Sequence, residues 1–191
     1  MPFHLTVFCG SRLGKRPEYA EATRQLAQLL VERQITLVYG GGHVGLMGVL
    51  ADEMLRLGGQ VVGVIPENLV ESELAHTGLK ELHIVPTMHA RKAVMADKAD
   101  AFLALPGGYG TAEEFFEIVT LRLLKLHHKP IALLNVAGYF DALLAWVAHA
   151  FDEEFISSKY RDLFFVDTEA ARLLDRLTAA ATNGGRGTPS S

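Results

Sequence analysis

The chain reads as a doubly wound α/β protein of the Rossmann-like class, a parallel sheet with helices on both faces. Three observations predict it. Short apolar runs alternate with helix-period patterns along most of the chain. Those runs are apolar throughout, as strands buried on both faces must be. Glycine-bearing turns at Gly10, at Gly40 to Gly45 and at Gly107 to Gly110 each follow a strand, at the carboxyl edge where such sheets bind ligands.

Taken in order, Leu5 to Cys9 is a short strand ended by Gly10-Ser11, and Pro17 to Glu32 is a helix whose proline sits in the first turn. Thr36 to Tyr39 is the second strand, Val44 to Leu57 the second helix, and Val61 to Ile65 the third strand. Pro66 to Gly78 carries no secure element. Leu82 to Val85 reads as a strand, His89 to Ala99 as a helix and Ala101 to Leu105 as a strand. Thr111 to Leu126, Ile131 to Leu134 and Phe140 to Glu153 continue as helix, strand and helix. Phe164-Phe165-Val166 is an edge strand before a last helix over Thr168 to Thr182. One domain over residues 1–181 follows, with a Gly/Ser/Thr-rich tail, 182–191, read as disordered.

Composition fits an enzyme with a substantial core: 191 residues, 49% of them hydrophobic. With 18 basic and 22 acidic residues the net charge is −4, which gives no reason to expect a nucleic acid or an anionic membrane as partner. The single cysteine, Cys9, excludes an internal disulfide framework and suits a reducing compartment. No run of about 18 apolar residues exists, and the chain opens on a strand and not on a signal peptide, so the cytoplasm is the expected location.

The most informative stretch is Pro106-Gly107-Gly108-Tyr109-Gly110-Thr111-Ala112-Glu113-Glu114. A buried strand ends there in a glycine turn that opens a helix. Such a turn lets backbone approach an anion, and the helix start offers unpaired N–H groups at a positive dipole end. Thr111 can cap the helix or bind a phosphate oxygen. Glu113 and Glu114 fall on the first helical turn, about 100° apart, so they cannot share one role. The plainer alternative is a tight turn whose acids complement the helix dipole.

Other signals are weaker. Gly40-Gly41-Gly42-His43-Val44-Gly45 satisfies G-x-G-x-x-G and points to a dinucleotide cofactor. It sits in the second strand-helix unit, however, and the next strand ends in Ile65-Pro66 without a clear ribose-binding acid. A substrate-shaping or packing role is the favoured reading. Ser11 is not in a nucleophile elbow and more readily bonds substrate or backbone. Cys9 reads as a small buried residue. The eight histidines show no zinc-ligand spacing, so no metal is expected. Lys92 and Lys98 are available to a pyridoxal cofactor, but nothing marks either as a Schiff-base site.

The Pro-Gly-Gly-x-Gly-Thr-x-x-Glu segment resembles the signature of the Lonely Guy (LOG) family. Its members are cytokinin nucleoside 5′-monophosphate phosphoribohydrolases, often mislabelled lysine decarboxylases. Cys9-Gly10-Ser11, Val38 to Gly42, Gly45-Leu46-Met47-Gly48, Ile65-Pro66, Met88-His89-Ala90-Arg91-Lys92 and Ala99 to Phe102 are similar to further family blocks, in the family's order. The resemblance implies catalytic roles for Arg91 and Glu114. It implies substrate contacts at Glu73, Lys92, Thr120 and the backbone from Gly108 onward. Gly107, Tyr109, Gly110, Thr111, Glu113, Ser11, Gly41 and Gly42 complete the expected binding set.

On this reading a carboxylate at Glu114 stabilises the ribosyl cation-like state and activates water. Glu73 binds ribose hydroxyls, and Arg91, always charged, has an electrostatic and positioning task. No cofactor is called for. The expected function is hydrolysis of a nucleoside 5′-monophosphate to free base and ribose 5-phosphate, with an N6-modified adenine as base and AMP as a weaker substrate. Alternatives are a general nucleotide hydrolase, or a nucleotide-sensing module without turnover. Met88, Phe115 and residues near Met47 are the candidates for the base pocket. Apolar residues surround the helix after the signature, from Phe115 to Leu126, and this together with the resemblance predicts a homodimer with active sites near its interface.

Overall fold

Every strand contact in the sheet is parallel. The computed structural model describes residues 2–70 and 75–184. Seven strands are arranged in the order β4-β3-β2-β1-β5-β6-β7. They are β1 (His4–Phe8), β2 (Thr36–Tyr39), β3 (Val61–Pro66), β4 (Glu81–Val85), β5 (Ala101–Ala104), β6 (Ile131–Leu134) and β7 (Phe165–Asp167). Among the described residues five α-helices lie between strands, α1 (Pro17–Glu32), α2 (Gly45–Arg56), α3 (Met88–Lys98), α4 (Tyr109–Leu123) and α5 (Asp141–Asp152), and α6 (Ala170–Gly184) follows β7.

The order follows from the strands' composition. β1, β2, β3, β5 and β6 are almost wholly buried, which demands cover on both faces. Alternate side chains feed two cores. Leu5, Leu37 and Leu103 join α1, α2 and α6, whereas Phe8, Val38 and Phe102 join α3 and α4. Thr6 is the polar exception in the middle of β1. Its hydroxyl donates to the carbonyl of Met95 at 2.9 Å, which removes the cost of burying it and ties α3 to the central strand.

Chain direction across the sheet reverses between β1 and β5, so the loops leaving these two strands diverge and open a crevice at the carboxyl edge. There the amide of Gly10 donates to the carbonyl of Pro106 at 3.0 Å, bringing the two loops into contact. Residues of all three sequence-marked glycine turns reach this crevice.

Four boundaries differ from expectation in instructive ways. α4 begins at Tyr109, not Thr111, because Gly108 is the N-cap. Thr111 therefore cannot cap the helix, and Glu113 and Glu114 lie on its second turn. α3 begins at Met88, where the Thr87 hydroxyl accepts from the Ala90 amide at 3.1 Å. Pro66 to Gly78 holds a short 3-10 turn, Glu67–Leu69, and residues 71–74 lie outside the described residues. α6 continues to Gly184, past the start of the expected tail, and residues 185–191 lie outside the described residues. No described helix is long and apolar enough to cross a membrane.

Candidate active site

Five segments converge at the crevice around a cavity of about 140 Å³. The end of β1 brings Phe8 to Ser11, the end of β2 brings Gly40, and α2 brings Met47. Arg91 and Met95 come from α3, and Gly108 to Thr111 with Glu114 come from α4. A larger cavity of about 320 Å³ adjoins it, shares Gly10, Ser11 and Gly108, and is walled by Leu13, Tyr19, Leu46 and Tyr139.

The start of α4 presents backbone donors to the crevice, an arrangement suited to an anion. Its first backbone bond within the helix runs from the Ala112 amide to the carbonyl of Gly108 at 3.1 Å, so the amides of Tyr109, Gly110 and Thr111 have no intrahelical acceptor. A Cβ added at Gly108 or Gly110 would meet nothing within 4 Å, so both glycines face open space. Gly107 differs. A Cβ there would stand 2.1 Å from Thr111 Oγ1, so this glycine closes the turn and lines the second cavity. Tyr139 braces the same turn by donating its hydroxyl to the carbonyl of Gly107.

Arg91 and Glu114 face each other across the floor, Nη1 to Oε1 4.0 Å apart, with side chains only 6% and 10% exposed. The guanidinium is fixed from behind. Nε donates to the carbonyl of Val64 at 3.1 Å and Nη2 to that of Gly40 at 3.0 Å. Only glycine fits at position 40, because a Cβ would lie 1.9 Å from Arg91 Nη2.

The G-x-G-x-x-G turn is thereby explained as packing. Gly45, at φ +59°, is pressed against the backbone of Ser11 and Arg12, 2.2 Å from an added Cβ. The Leu46 amide at the start of α2 donates to the carbonyl of Gly10 at 2.9 Å. The β1 loop thus covers the helix start at which a pyrophosphate would have to bind. Gly41 and Gly42 do not line the cavity. The carbonyl of Gly41 accepts from the His76 amide at 3.0 Å, and Gly42 forms an isolated bridge with Ala75.

Among the expected site residues, the fold brings together Arg91, Glu114, Ser11, Gly108, Tyr109, Gly110 and Thr111. Lys92 and Glu113 stand outside the cavity, paired with each other at 2.5 Å. Thr120 is exposed farther along α4. Glu73 lies outside the described residues. Of the candidate base-pocket residues, Met47 lines the cavity and Phe115 is buried in the second core. Met88 Sδ lies 3.7 Å from Arg91 Nη1. Met95 was not signalled in advance, since a core methionine's direction depends on tertiary packing, and Gly40 was marked only as part of its turn and not as a cavity residue.

Two chemistries can be judged from the donors themselves. His43, Asp52 and His76 converge behind the glycine turn, with ligand atoms within 4.8 Å of one another, a cluster that sequence spacing does not reveal. His76 Nδ1 accepts the Gly78 amide at 3.1 Å, which puts the ring proton on Nε2, facing Asp52 Oδ1 at 2.9 Å. A metal would need a lone pair where that proton lies, so the cluster serves as a staple for the 75–78 segment. A Schiff-base lysine needs a neutral amine. Burial alone would lower the Lys92 pKa, but Glu113 and Glu117 hold it above the usual value. Lys98 pairs with Glu81 at 2.9 Å.

Fold and site together define a Rossmann-like α/β protein with a helix N-terminus and a buried carboxylate–guanidinium pair in one crevice. A family model described as "Possible lysine decarboxylase" matches residues 47–177. A cytokinin riboside 5′-monophosphate phosphoribohydrolase of Arabidopsis thaliana is 49% identical over 173 residues, covering 91% of this chain and 80% of the relative. One from Rhodococcoides fascians is also 49% identical over 173 residues, covering 89% and 87%. The Moco carrier protein of Chlamydomonas reinhardtii superposes with a TM-score of 0.69 at 18% identity, covering 96% of this chain and 99% of that one. The molybdenum cofactor binding protein of Rippkaea orientalis gives 0.70 at 20%, covering 94% and 97%. These two share the fold alone. The chain belongs to the LOG family of phosphoribohydrolases, the one carried under the decarboxylase description.

Proposed function

We propose that the protein hydrolyses the N-glycosidic bond of nucleoside 5′-monophosphates, releasing free base and ribose 5-phosphate. The observation that carries this reading is the meeting of the α4 N-terminus, Glu114 and Arg91 in one cavity. A 5′-phosphate takes the free amides of Tyr109 to Thr111, which favours monophosphates over nucleosides. Glu114 then lies beside the sugar. As the bond to the base breaks, positive charge grows on the anomeric carbon and ring oxygen, and a carboxylate there lowers the barrier. Glu114 also accepts a proton from the attacking water, whose oxygen bonds to the anomeric carbon as the bond to the base breaks; the departing base takes up a proton from solvent, and Glu114 returns its own to solvent. Arg91 keeps the carboxylate aimed, held by its two backbone carbonyls.

Sites for small molecules commonly enclose about 300–1,000 Å³. The 140 Å³ cavity suits the phosphoribosyl part, and the base extends into neighbouring space. The names of the relatives make an N6-modified adenine the expected base, with AMP weaker. A panel of purine and pyrimidine monophosphates, including N6-isopentenyladenosine monophosphate, assayed for ribose 5-phosphate, tests this. Turnover of the prenylated substrate above AMP is expected. Binding of AMP without release of ribose 5-phosphate from any member would instead make the protein a nucleotide sensor.

The protein acts in this reading as a cytosolic homodimer. α4 buries Phe115, Ile118 and Val119 and ends at Leu123, three residues short of the expected Leu126, and in the turn that follows it Leu124 and Leu126 remain 58% and 69% exposed. Trp146 of α5, 57% exposed, packs edge-on against Phe116 of α4 and extends the apolar surface. Large exposed apolar side chains at the end of α4 and on α5 favour a second copy as cover. Sedimentation at micromolar concentration should give twice the chain mass, and Trp146→Glu should shift it towards monomer. A wild-type protein that sediments as monomer would remove the dimer from this account.

A further inference from the structure

Three consecutive peptide units lead into α4, and each carbonyl has a different partner. The carbonyl of Pro106 accepts from the Gly10 amide at 3.0 Å, and that of Gly108 from the Ala112 amide at 3.1 Å. Backbone therefore holds the first and third units. The middle carbonyl, of Gly107, accepts from the Tyr139 hydroxyl, so this unit alone of the three is fixed by a side chain. It is also the unit freest to turn over. Rotating a peptide plane changes ψ of the residue before it and φ of the residue after it, and here both residues are glycine. The unit is trans, so its C=O and N–H lie on opposite edges. Gly107 and Tyr139 line the second cavity and not the first, whereas Gly108 lines both. With the Gly107 carbonyl turned to Tyr139, the Gly108 amide points away from it, and among the described residues that amide meets no acceptor.

We propose that Tyr139 is a positioning residue for the substrate phosphate. By holding the Gly107 carbonyl it keeps the Gly108 N–H turned to the anion, and it bars the flipped peptide, which would set a carbonyl oxygen against that anion. The inference rests on the hydrolase reading, in which a 5′-phosphate sits at the start of α4. It adds to that site a side chain 32 residues beyond Gly107. The loop carrying Tyr139 is built to hold it still. Asn135 closes the loop with both side-chain atoms, Nδ2 donating to Asp141 Oδ1 at 2.7 Å and Oδ1 accepting from the Phe140 amide at 2.8 Å. Ala137 is kept at φ +52°, a left-handed conformation unfavourable for a residue with a Cβ, and its carbonyl accepts from Arg16 Nη1 at 3.2 Å. Strain of this kind persists only where the surroundings over-determine it. The Tyr139 ring packs edge-on against Tyr19 and Phe140, with centroids 5.5 and 5.0 Å away.

Tyr139→Phe in the full chain tests this, since phenylalanine keeps the ring contacts and loses only the donor. The variant should melt within a few degrees of wild type. In steady-state kinetics KM for AMP should rise about tenfold with kcat within about threefold, the mark of binding lost equally from ground and transition states. By calorimetry the Kd of ribose 5-phosphate should weaken by a similar factor, while that of adenosine, which lacks the phosphate, stays within about twofold. A tyrosine that only supports the fold predicts otherwise: a lower melting temperature with both Kd values unchanged, or both ligands weakened alike. Either result overturns the proposal, as does a fall in kcat at wild-type KM. If the wild type releases no ribose 5-phosphate from AMP, the hydrolase reading fails by itself, and the two Kd values decide the role of Tyr139 on the same terms. A wild type that does not bind ribose 5-phosphate at millimolar concentration leaves no phosphate seat to position and also overturns the proposal.

Discussion

Glu114→Gln should abolish release of ribose 5-phosphate, lowering kcat by about 1,000-fold or more, while AMP binds within a few-fold of wild type. The argument is one of charge at constant shape. Glutamine fills the same space and can still accept a hydrogen bond through its amide oxygen. It cannot place a full negative charge beside a ribosyl cation, nor take a proton from water. Binding is spared because the proposed phosphate seat consists of backbone amides on the preceding turn. Folding is spared because the Arg91 guanidinium keeps its bonds to Val64 and Gly40. Melting within a few degrees of wild type, with turnover lost, is the expected pair of results. Wild-type turnover by this variant would remove the carboxylate from the reaction and with it the mechanism.

The sheet was legible because its strands are apolar on both sides, a pattern that leaves few arrangements other than a doubly wound sheet. The carboxyl-edge crevice was legible for the same reason, since Gly10 and Gly107 both follow strands. What the sequence could not resolve were matters of clearance and partnership. The helix of the signature starts at Tyr109 because Gly108, with non-helical dihedrals, serves as N-cap, whereas Thr111 looks like the better cap by residue type. The Gly40 to Gly45 turn has a cofactor motif's spacing but a packing role, and only the positions of Arg91 and the β1 loop reveal it. Lys92 and Glu113 stand beside the reactive residues in sequence. Yet neighbours on a helix point about 100° apart, so adjacency put them on the rim and not in the cavity. The convergence of His43, Asp52 and His76 joins residues from two separate segments, which no local spacing encodes.

Arg91→Lys, conservative by charge, should be the most damaging substitution to activity and stability together. Arginine here works as a fork: Nε reaches the carbonyl of Val64, Nη2 reaches that of Gly40, and Nη1 faces Glu114. A lysine has one nitrogen and cannot meet three partners fixed in different directions. Whichever it chooses, at least one buried carbonyl is left unpaired, at a cost of roughly 1–3 kcal/mol. The space against Gly40, kept clear for the guanidinium, becomes a void. Glu114 loses the flat cation that aims it, so kcat should fall by about 100-fold or more on top of the fall in melting temperature. This combination separates the two members of the pair. Glu114→Gln removes chemistry and leaves the fold, whereas Arg91→Lys loosens the joint between β2, β3 and α3 as well. An Arg91→Lys protein with wild-type melting and wild-type turnover would mean that the positive charge alone suffices. The two carbonyl anchors would then have no part in aiming Glu114, and any cation carried by α3 at that depth would serve as well.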